Sequence, residues 1–280
     1  MTAKHKRSIY SVLKFIVLAL FLVIVMFPFV WMLLTSLKGS QGEIYAFPVK
    51  YLPNPVSFVN YASMLWKGSF GTYMLNSLFV SAIAATCAVL IAVLSAYVIS
   101  RFHLKHKNLV MMFFLVTQMF PTFIMLAPLY QMLASAGMLN RRTTLALLYT
   151  NMMIPFSVVT LAGFYDAVPT SLEAAAWIDG CGYLSSLFRV VVPVIKPGLA
   201  STFIFAFINS WNELFMAVMF IDVDKYKTIP VGLNALILKY DIKWGEMAAG
   251  TIMSLIPTMI LFGFCQKYMI EGLTAGSVKG

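Results

Sequence analysis

The sequence predicts an all-α polytopic membrane protein with six transmembrane helices, on three observations. The chain has 280 residues, of which 61% are hydrophobic and 11% are charged, and this composition is typical of membrane proteins rather than soluble domains. Its apolar residues form runs long enough to cross about 30 Å of hydrocarbon. Its net charge of +10 is concentrated between these runs, as in cytoplasmic loops, which argues against nucleic-acid binding.

The N-terminal part is predicted to contain a cytoplasmic end, one span and an external loop. Residues 1–13 include the basic stretch Lys4-His-Lys-Arg7, which indicates a cytoplasmic N-terminus. The apolar run at 14–36 is too long for a signal peptide and lacks a small-residue cleavage site, so we expect the first transmembrane helix there. Residues 37–72 are polar and proline-containing and are predicted to form an external loop with short interfacial pieces.

Residues 73–270 are predicted to form a core of five further spans, and residues 271–280 a cytoplasmic tail. Pro121 and Pro128 fall inside one of these spans and predict a kink or a break. The basic hairpin 101–107 fits the cytoplasmic side, whereas Arg141 and Arg142 fall in a predicted external turn and count against this orientation. The spans are expected near 73–100, 109–133, 144–164, 198–221 and 247–270.

The segment at about 165–197 lies between two spans and is too polar for lipid. Three alanines at 174–176 favour a helix, with Ser171 as its expected N-cap and Glu173 as an acid in its first turn. Two glycines, Gly180 and Gly182, are expected to interrupt this helix. Because a short helix with a small-residue face lets another protein approach closely, we interpret it as a docking helix for a cytoplasmic motor.

Proline positions predict where the chain leaves the docking segment. Pro193 and Pro197 are compatible with the first turn of a helix, where no backbone N–H is needed. The next span is therefore expected to begin close to Pro197.

The docking segment resembles the EAA loop of type I ABC importer permeases. The order is Glu-Ala-Ala from Glu173, Asp-Gly at Asp179, and Val-x-Val-Pro ending at Pro193, with nine residues between Gly180 and this last motif. The resemblance extends to residues 27–38, to Ser-Trp-Asn-Glu-Leu-Phe at 210–215 and to residues 272–280. Together these motifs are similar to the carbohydrate-importer branch, in particular its maltose-type second permease subunit.

This resemblance implies the type I permease fold and several partners. They are a second permease subunit that completes a heterodimer, two ATP-binding subunits and an extracellular solute-binding protein. One departure is that the family's motif glutamate falls at Ala174, so that only the acid before it, Glu173, is present to reach a basic residue of the motor. The residues implied in ATPase coupling are Glu173, Ala174, Ala175, Asp179, Gly180 and Pro193, and those in a C-terminal ATPase contact are Gly276, Ser277 and Lys279.

A candidate cargo pathway lies at Trp211, Asn212 and Glu213. Glu213 is the one acid inside a predicted span, and an ionisable residue there is a functional candidate. Aromatic faces stack on sugar rings, while amides and carboxylates bond hydroxyl groups. A helix-packing or gate residue, with the partner permease holding the cargo, is an equally open reading of Glu213.

No catalytic constellation is found in the sequence. It contains no GxxxxGK[ST] nucleotide loop, no HExxH motif and no cysteine pattern typical of a metal site, since Cys87, Cys181 and Cys265 are widely separated. We therefore expect a non-catalytic subunit that binds no cofactor or metal itself, with ATP and Mg on the partner ATPase subunits.

The predicted function is that of a permease subunit of an ATP-driven, binding-protein-dependent importer for a sugar or oligosaccharide. It would lie in a bacterial or archaeal cell membrane with both termini in the cytoplasm. Two alternatives remain. One is the same machine with a non-sugar cargo such as glycerol phosphate, a polyol or a peptide, and the other is an ion-coupled secondary transporter with Glu213 as the coupling acid.

Overall fold

The computed structural model describes residues 3–237 and 242–275, and the predicted C-terminal contact at 276–280 lies outside them. Within those ranges the chain is helical apart from turns and one isolated antiparallel bridge between Ile237 and Ile242. Single π-helical turns lie at Ser63–Lys67 and Leu187–Val191, and a 3₁₀ turn at Asp224–Tyr226. The α-helices are α1 (Ala3–Ser36), α2 (Gln41–Ile44), α3 (Val59–Ala62), α4 (Phe70–Arg101), α5 (Lys107–Met119), α6 (Thr122–Ser135), α7 (Arg142–Asp166), α8 (Ser171–Ile178), α9 (Tyr183–Ser186), α10 (Val192–Val194), α11 (Lys196–Trp211), α12 (Phe215–Phe220), α13 (Ile229–Asn234) and α14 (Trp244–Ala275).

Four to six of these elements are candidate membrane spans. Helices α1, α4, α7 and α14 each contain a continuous stretch that is long and apolar enough to cross a bilayer. Helices α5 and α6 form a bent pair with an angle of 86°, and their break lies at Phe120 and Pro121. A second bent pair, of 80°, joins Tyr183–Val194 to Lys196–Asn212.

The predicted fifth span differs from the observed helices. We expected one apolar helix at 198–221, but α11 ends at Trp211 and α12 begins at Phe215. Residues 212–214 separate the two helices, and the carboxylate of Glu213 accepts hydrogen bonds from the first free N–H groups of α12. The polar residues at this point therefore end one helix and cap the next.

The chain forms two compact units, and the first comprises Met1–Phe70 with Leu233–Leu255. Within it, Asn60 Nδ2 donates to the carbonyls of Ser36 and Lys38 at 3.0 and 2.8 Å. Glu43, which lies between α1 and α3, accepts from the N–H groups of Asn54 and Gly39. The Asn54 bond is the main reason that the pKa of Glu43 lies below its ordinary value.

The second unit comprises Gly71–Gly232 with Ile256–Gly280, and it contains two apolar clusters. One cluster joins α4 and α7 to the π-helical turn, and Tyr165, Leu187 and Val191 are fully buried in it. The other joins α4 and α7 to α12, with Val80 and Leu145 fully buried. Both clusters thus use α4 and α7 as a common scaffold, one near each end of these helices.

A close approach between α7 and α11 depends on a glycine in this unit. A Cβ atom placed on Gly198 would lie 2.4 Å from the ring of Phe164. Gly198 follows Pro197, which lies in the first turn of α11 as the sequence predicts. This contact fixes the start of α11 against the end of α7, next to the docking segment.

Candidate functional site

Helix α8 forms the predicted docking helix, and its C-terminal end has a defined geometry. Gly180 has a φ of +84°, a left-handed conformation that favours glycine. Its N–H donates to the carbonyl of Trp177, and the N–H of Cys181 donates to Ala176, at 3.1 and 2.9 Å. These two bonds make a Schellman motif, which ends the helix sharply after Asp179.

The N-terminal end of α8 differs from our prediction. The residue at the N-cap is Thr170 rather than Ser171, and no side chain caps the helix. Ser171 is the first helical residue because the carbonyl of Thr170, in the turn after α7, accepts a helical hydrogen bond from Ala174 N–H at 3.0 Å. The helix is instead held by an interaction of Glu173.

Glu173 faces the interior of the second unit, not outward as expected for a contact with a motor subunit. The residue is 1% exposed and forms an ion pair with Arg101, the last residue of α4. Tyr97, one turn earlier in α4, donates its hydroxyl to the other carboxylate oxygen at 2.8 Å. Because Arg101 also donates to the carbonyl of Val168 at 2.9 Å, it ties α4, α8 and the turn between α7 and α8 together.

The other predicted coupling residues lie on the outer side of the segment. Ala174, Ala175, Asp179 and Pro193 are exposed. Asp179 donates its backbone N–H to Ala175 at 3.1 Å, but its side chain makes no bond to the described part of the chain. Trp177 and Ile178 are 43% and 87% exposed, so α8 presents an apolar and small-residue face.

An exposed ion pair lies beside the buried one. Lys107 at the start of α5 pairs with Asp166 at the end of α7 at 3.3 Å, and the side chains are 35% and 50% exposed. Ser100 also donates to Asp166. The ends of α4, α5 and α7 thus meet beside the docking segment.

The predicted pathway residues have different surroundings. Trp211 is 3% exposed and stacks on Phe207 with ring centroids 5.6 Å apart, so it packs in the core and lines neither of the cavities described below. Glu213 accepts hydrogen bonds from Met216 and Ala217 N–H groups and, at 2.7 Å, from the hydroxyl of Tyr149. The geometry therefore favours the packing interpretation of Glu213 over a free ion-coupling acid.

Two adjacent cavities lie between the α5–α6 break, α7 and α11. The first has a volume of about 430 Å³ and is lined by Asn212 and Glu213, among others. The second has a volume of about 450 Å³. Thr122, Met152 and Asn209 line both cavities, which makes them neighbours with a shared wall.

The second cavity contains polar residues that sequence reasoning missed. Gln118, Asn151 and Asn209 line it, together with Thr117 and Thr122. Each amide lies within a predominantly apolar helix. A polar side chain in such a helix is a candidate functional residue, and this contrast could have identified the three amides from the sequence. Sequence reasoning followed the charged residue Glu213 and overlooked neutral amides, because only the fold brings three separate helices together.

A multi-pass helical chain with a defined docking helix and a polar cavity among its spans defines a membrane transport subunit. The chain belongs to the family of binding-protein-dependent transport system inner membrane components, whose family model matches residues 88–273. It has the type I ABC importer permease fold.

Two relatives are similar over nearly the whole chain. The sulfoquinovosyl glycerol transport system permease protein SmoH of Agrobacterium fabrum is 33% identical over 268 residues, covering 96% of this chain and 94% of that protein. The diacetylchitobiose uptake system permease protein DasC of Streptomyces coelicolor is 34% identical over 276 residues, covering 98% of this chain and all of that protein. Both cover the docking segment and the cavity residues of this chain.

A solved structure shares the fold. It is a bacterial ABC transporter involved in the import of the acidic polysaccharide alginate, with a TM-score of 0.79 and 21% identity. The match covers 96% of this chain and 99% of that chain.

Proposed function

We propose that this chain is the membrane subunit of an ATP-driven importer that carries a sugar or oligosaccharide into the cell. The observation that carries the proposal is the docking helix α8, whose exposed face is free to meet a partner while Glu173 holds its inner face to Arg101 of α4. A helix held rigidly on one side can pass a movement of its partner into the spans to which it is tied.

ATP hydrolysis belongs to separate subunits in this proposal. The chain itself is non-catalytic and binds no nucleotide, and ATP with Mg occupies two partner ATPase subunits. Closure of these ATPases moves α8, and the ion pair and the Tyr97 bond pass that movement to α4. The permease pair then exchanges an inward-open for an outward-open packing, because the two packings differ in their contacts with the motor.

The names of the relatives support the cargo class. The names of the two relatives refer to a sulfoquinovosyl glycerol and to diacetylchitobiose, and both compounds are carbohydrates. We extend this cargo class to the present chain. The chain forms a heterodimer with a second permease subunit, and an extracellular solute-binding protein delivers the cargo to it. The chain lies in a bacterial or archaeal cell membrane with both termini in the cytoplasm.

Affinity purification from the native membrane in mild detergent tests this function. Mass spectrometry of the purified complex is expected to identify an ATP-binding subunit and a second permease. ATPase activity of the complex is expected to rise when a sugar is supplied on its binding protein. Recovery of this chain alone from preparations that still transport would contradict the proposal.

A further inference from the structure

An amide-lined cavity with no assigned role lies among α5, α7 and α11. Asn151 is nine residues from the first residue of α7, which is about 14 Å along the helix axis. Gln118 is at a similar distance from the start of α5. Both side chains therefore lie well inside candidate membrane spans, where unpaired polar groups are costly and usually functional.

The hydrogen-bonding capacity of these amides is largely unused. In the described part of the chain, the side chains of Gln118 and Asn151 have no hydrogen-bond partner, and both are exposed. Asn209 donates one N–H to the carbonyl of Phe205 at 2.8 Å, which leaves its oxygen as an acceptor. The cavity thus offers donors and acceptors from three different helices.

A proline adds a backbone acceptor to the same wall. Pro155 lies inside α7, and it cannot donate the helical hydrogen bond to the carbonyl four residues earlier. That carbonyl belongs to Asn151. One residue of the cavity therefore carries both a free side-chain amide and a backbone carbonyl without its usual helical donor.

An aromatic surface lies next to these polar groups. The rings of Phe156 and Phe205, which also line the cavity, are stacked with centroids 3.7 Å apart. Neutral amides beside an aromatic surface match a sugar ring, which has hydroxyl groups at its edge and apolar C–H groups on its faces. A hydrophobic helix of a neighbouring subunit would leave the same amides unpaired.

The charge of the lining restricts the ligand further. Among the described residues that line the two adjacent cavities, none is Lys, Arg or His. The one ionisable residue is Glu213, whose negative charge repels an anion. A carboxylated or sulfonated sugar would lose its hydration here without meeting a compensating cation.

We infer that this cavity is a cargo-contact site of the permease and that it selects a neutral polyhydroxylated solute over an acidic one. The inference rests on the proposed function and adds the residues and the charge of the cargo. Gln118, Asn151 and Asn209 bond its hydroxyl groups, and Phe156 with Phe205 supports its ring face.

Transport in proteoliposomes that contain the whole complex and its binding protein tests the site. The probes are maltose, cellobiose and diacetylchitobiose as neutral sugars and digalacturonate as an acidic sugar. We expect uptake of a neutral probe and rejection of the acidic one. Each of Gln118→Leu, Asn151→Leu and Asn209→Leu is expected to lower uptake about two- to tenfold, the value of one hydrogen bond.

Gln131→Leu is the matched control, because Gln131 is an exposed amide in α6 that lines neither cavity. It should transport as the unaltered complex does. Uptake of digalacturonate at the rate of a neutral probe, or equal losses in the control and the three variants, would overturn the inference.

A cargo-independent measurement tests water access. In a complex with its native cysteines replaced by serine, Asn151→Cys should react with a small water-soluble thiosulfonate. Two results would assign the amides to a subunit interface instead. One is a Cys thiol at position 151 that stays unreactive in an active complex, and the other is loss of the second permease from the Leu variants. Failure of the proposed function has a different signature, because the unaltered chain would then copurify without an ATPase.

Discussion

The buried ion pair between Arg101 and Glu173 is the residue-scale feature that connects the docking helix to the spans. Its side chains are 9% and 1% exposed, so neither charge can be hydrated if the other is removed. Each single substitution, Arg101→Met or Glu173→Leu, should therefore destabilise the protein by about 3–5 kcal/mol. The double variant should cost clearly less than the sum, because it leaves no unpaired charge.

Thermal unfolding of the detergent-purified protein measures these differences. Lys107→Met is the matched control, since the pair of Lys107 with Asp166 is partly exposed and should contribute less than about 1 kcal/mol. Additive effects of the two single substitutions at the buried pair would show that its members do not depend on each other.

Glu213 offers a second residue-scale prediction, which separates a structural cap from a proton-coupling acid. Glu213→Gln retains an oxygen that can accept from Met216 N–H and should lower transport by no more than about fivefold, equally at every pH, because a net hydrogen bond is worth about 1 kcal/mol. Glu213→Leu removes the acceptor for the N–H groups and for Tyr149 and should lower stability by about 1–2 kcal/mol. A loss of transport in the Gln variant that equals the loss in the Leu variant would restore the ion-coupled alternative.

At the scale of elements, the sequence predicts helices better than it predicts which way their residues face. The break at Pro121 and the end of α8 at Gly180 depend on the local backbone conformation. Proline and glycine restrict or permit particular conformations, so the sequence predicts both features. The inward direction of Glu173 depends on Arg101, which is 72 residues earlier in the chain, and no local pattern encodes that contact. The sequence leaves Glu173 as the acid available to a basic residue of the motor, whereas in the described structure its carboxylate pairs with Arg101 of the same chain.

The cavity amides and Arg142 illustrate the same limit. Hydropathy places Asn151 in a span but does not show that it shares a cavity with residues of two other helices. Arg142 counted against the predicted orientation, yet it donates to Asn76 at 3.1 Å and lies over the ring of Phe79 at 5.1 Å. In the described structure this charge therefore has an amide and an aromatic ring as partners.

A prediction for the docking helix concerns Gly180, where backbone strain within the chain can be distinguished from a steric clash with a docked partner. A Cβ atom on Gly180 would have no neighbour within 4 Å, so a side chain there is strained only by the positive φ, at about 1–2 kcal/mol. Gly180→Ala and Gly180→Trp should therefore be equally stable as isolated chains. If α8 docks on a partner, Gly180→Trp alone should lose the ATPase during copurification.

Gly137 provides the control for this experiment. It also has a positive φ, of +64°, and open space around its Cβ, but it lies in the predicted external turn. Gly137→Trp should thus retain the ATPase. Equal recovery of the ATPase with both tryptophan variants would exclude the region around Gly180 from the docking surface.

At the scale of the whole molecule, the exposed apolar surface requires a bilayer. Within Tyr10–Ser36, the most apolar stretch of 18 residues contains no buried residue, and 61% of the whole sequence is hydrophobic. In a membrane, the exposed apolar side chains of a helix pack against lipid tails or against neighbouring helices. Such a surface is stable only in a membrane, and the orientation of the chain there decides which face the proposed ATPase meets.

Cysteine accessibility tests that orientation. Cys181 follows Gly180 in the docking segment and is partly exposed, so in a Cys87→Ser, Cys265→Ser background it is the one thiol available. A membrane-impermeant maleimide should label it in inside-out vesicles and not in right-side-out vesicles. Adding Phe47→Cys, at a residue 97% exposed in the predicted external loop, should introduce labelling of the opposite sidedness. Labelling of Cys181 from outside would place the docking helix on the face where no ATP is available, and the coupling mechanism would then be untenable.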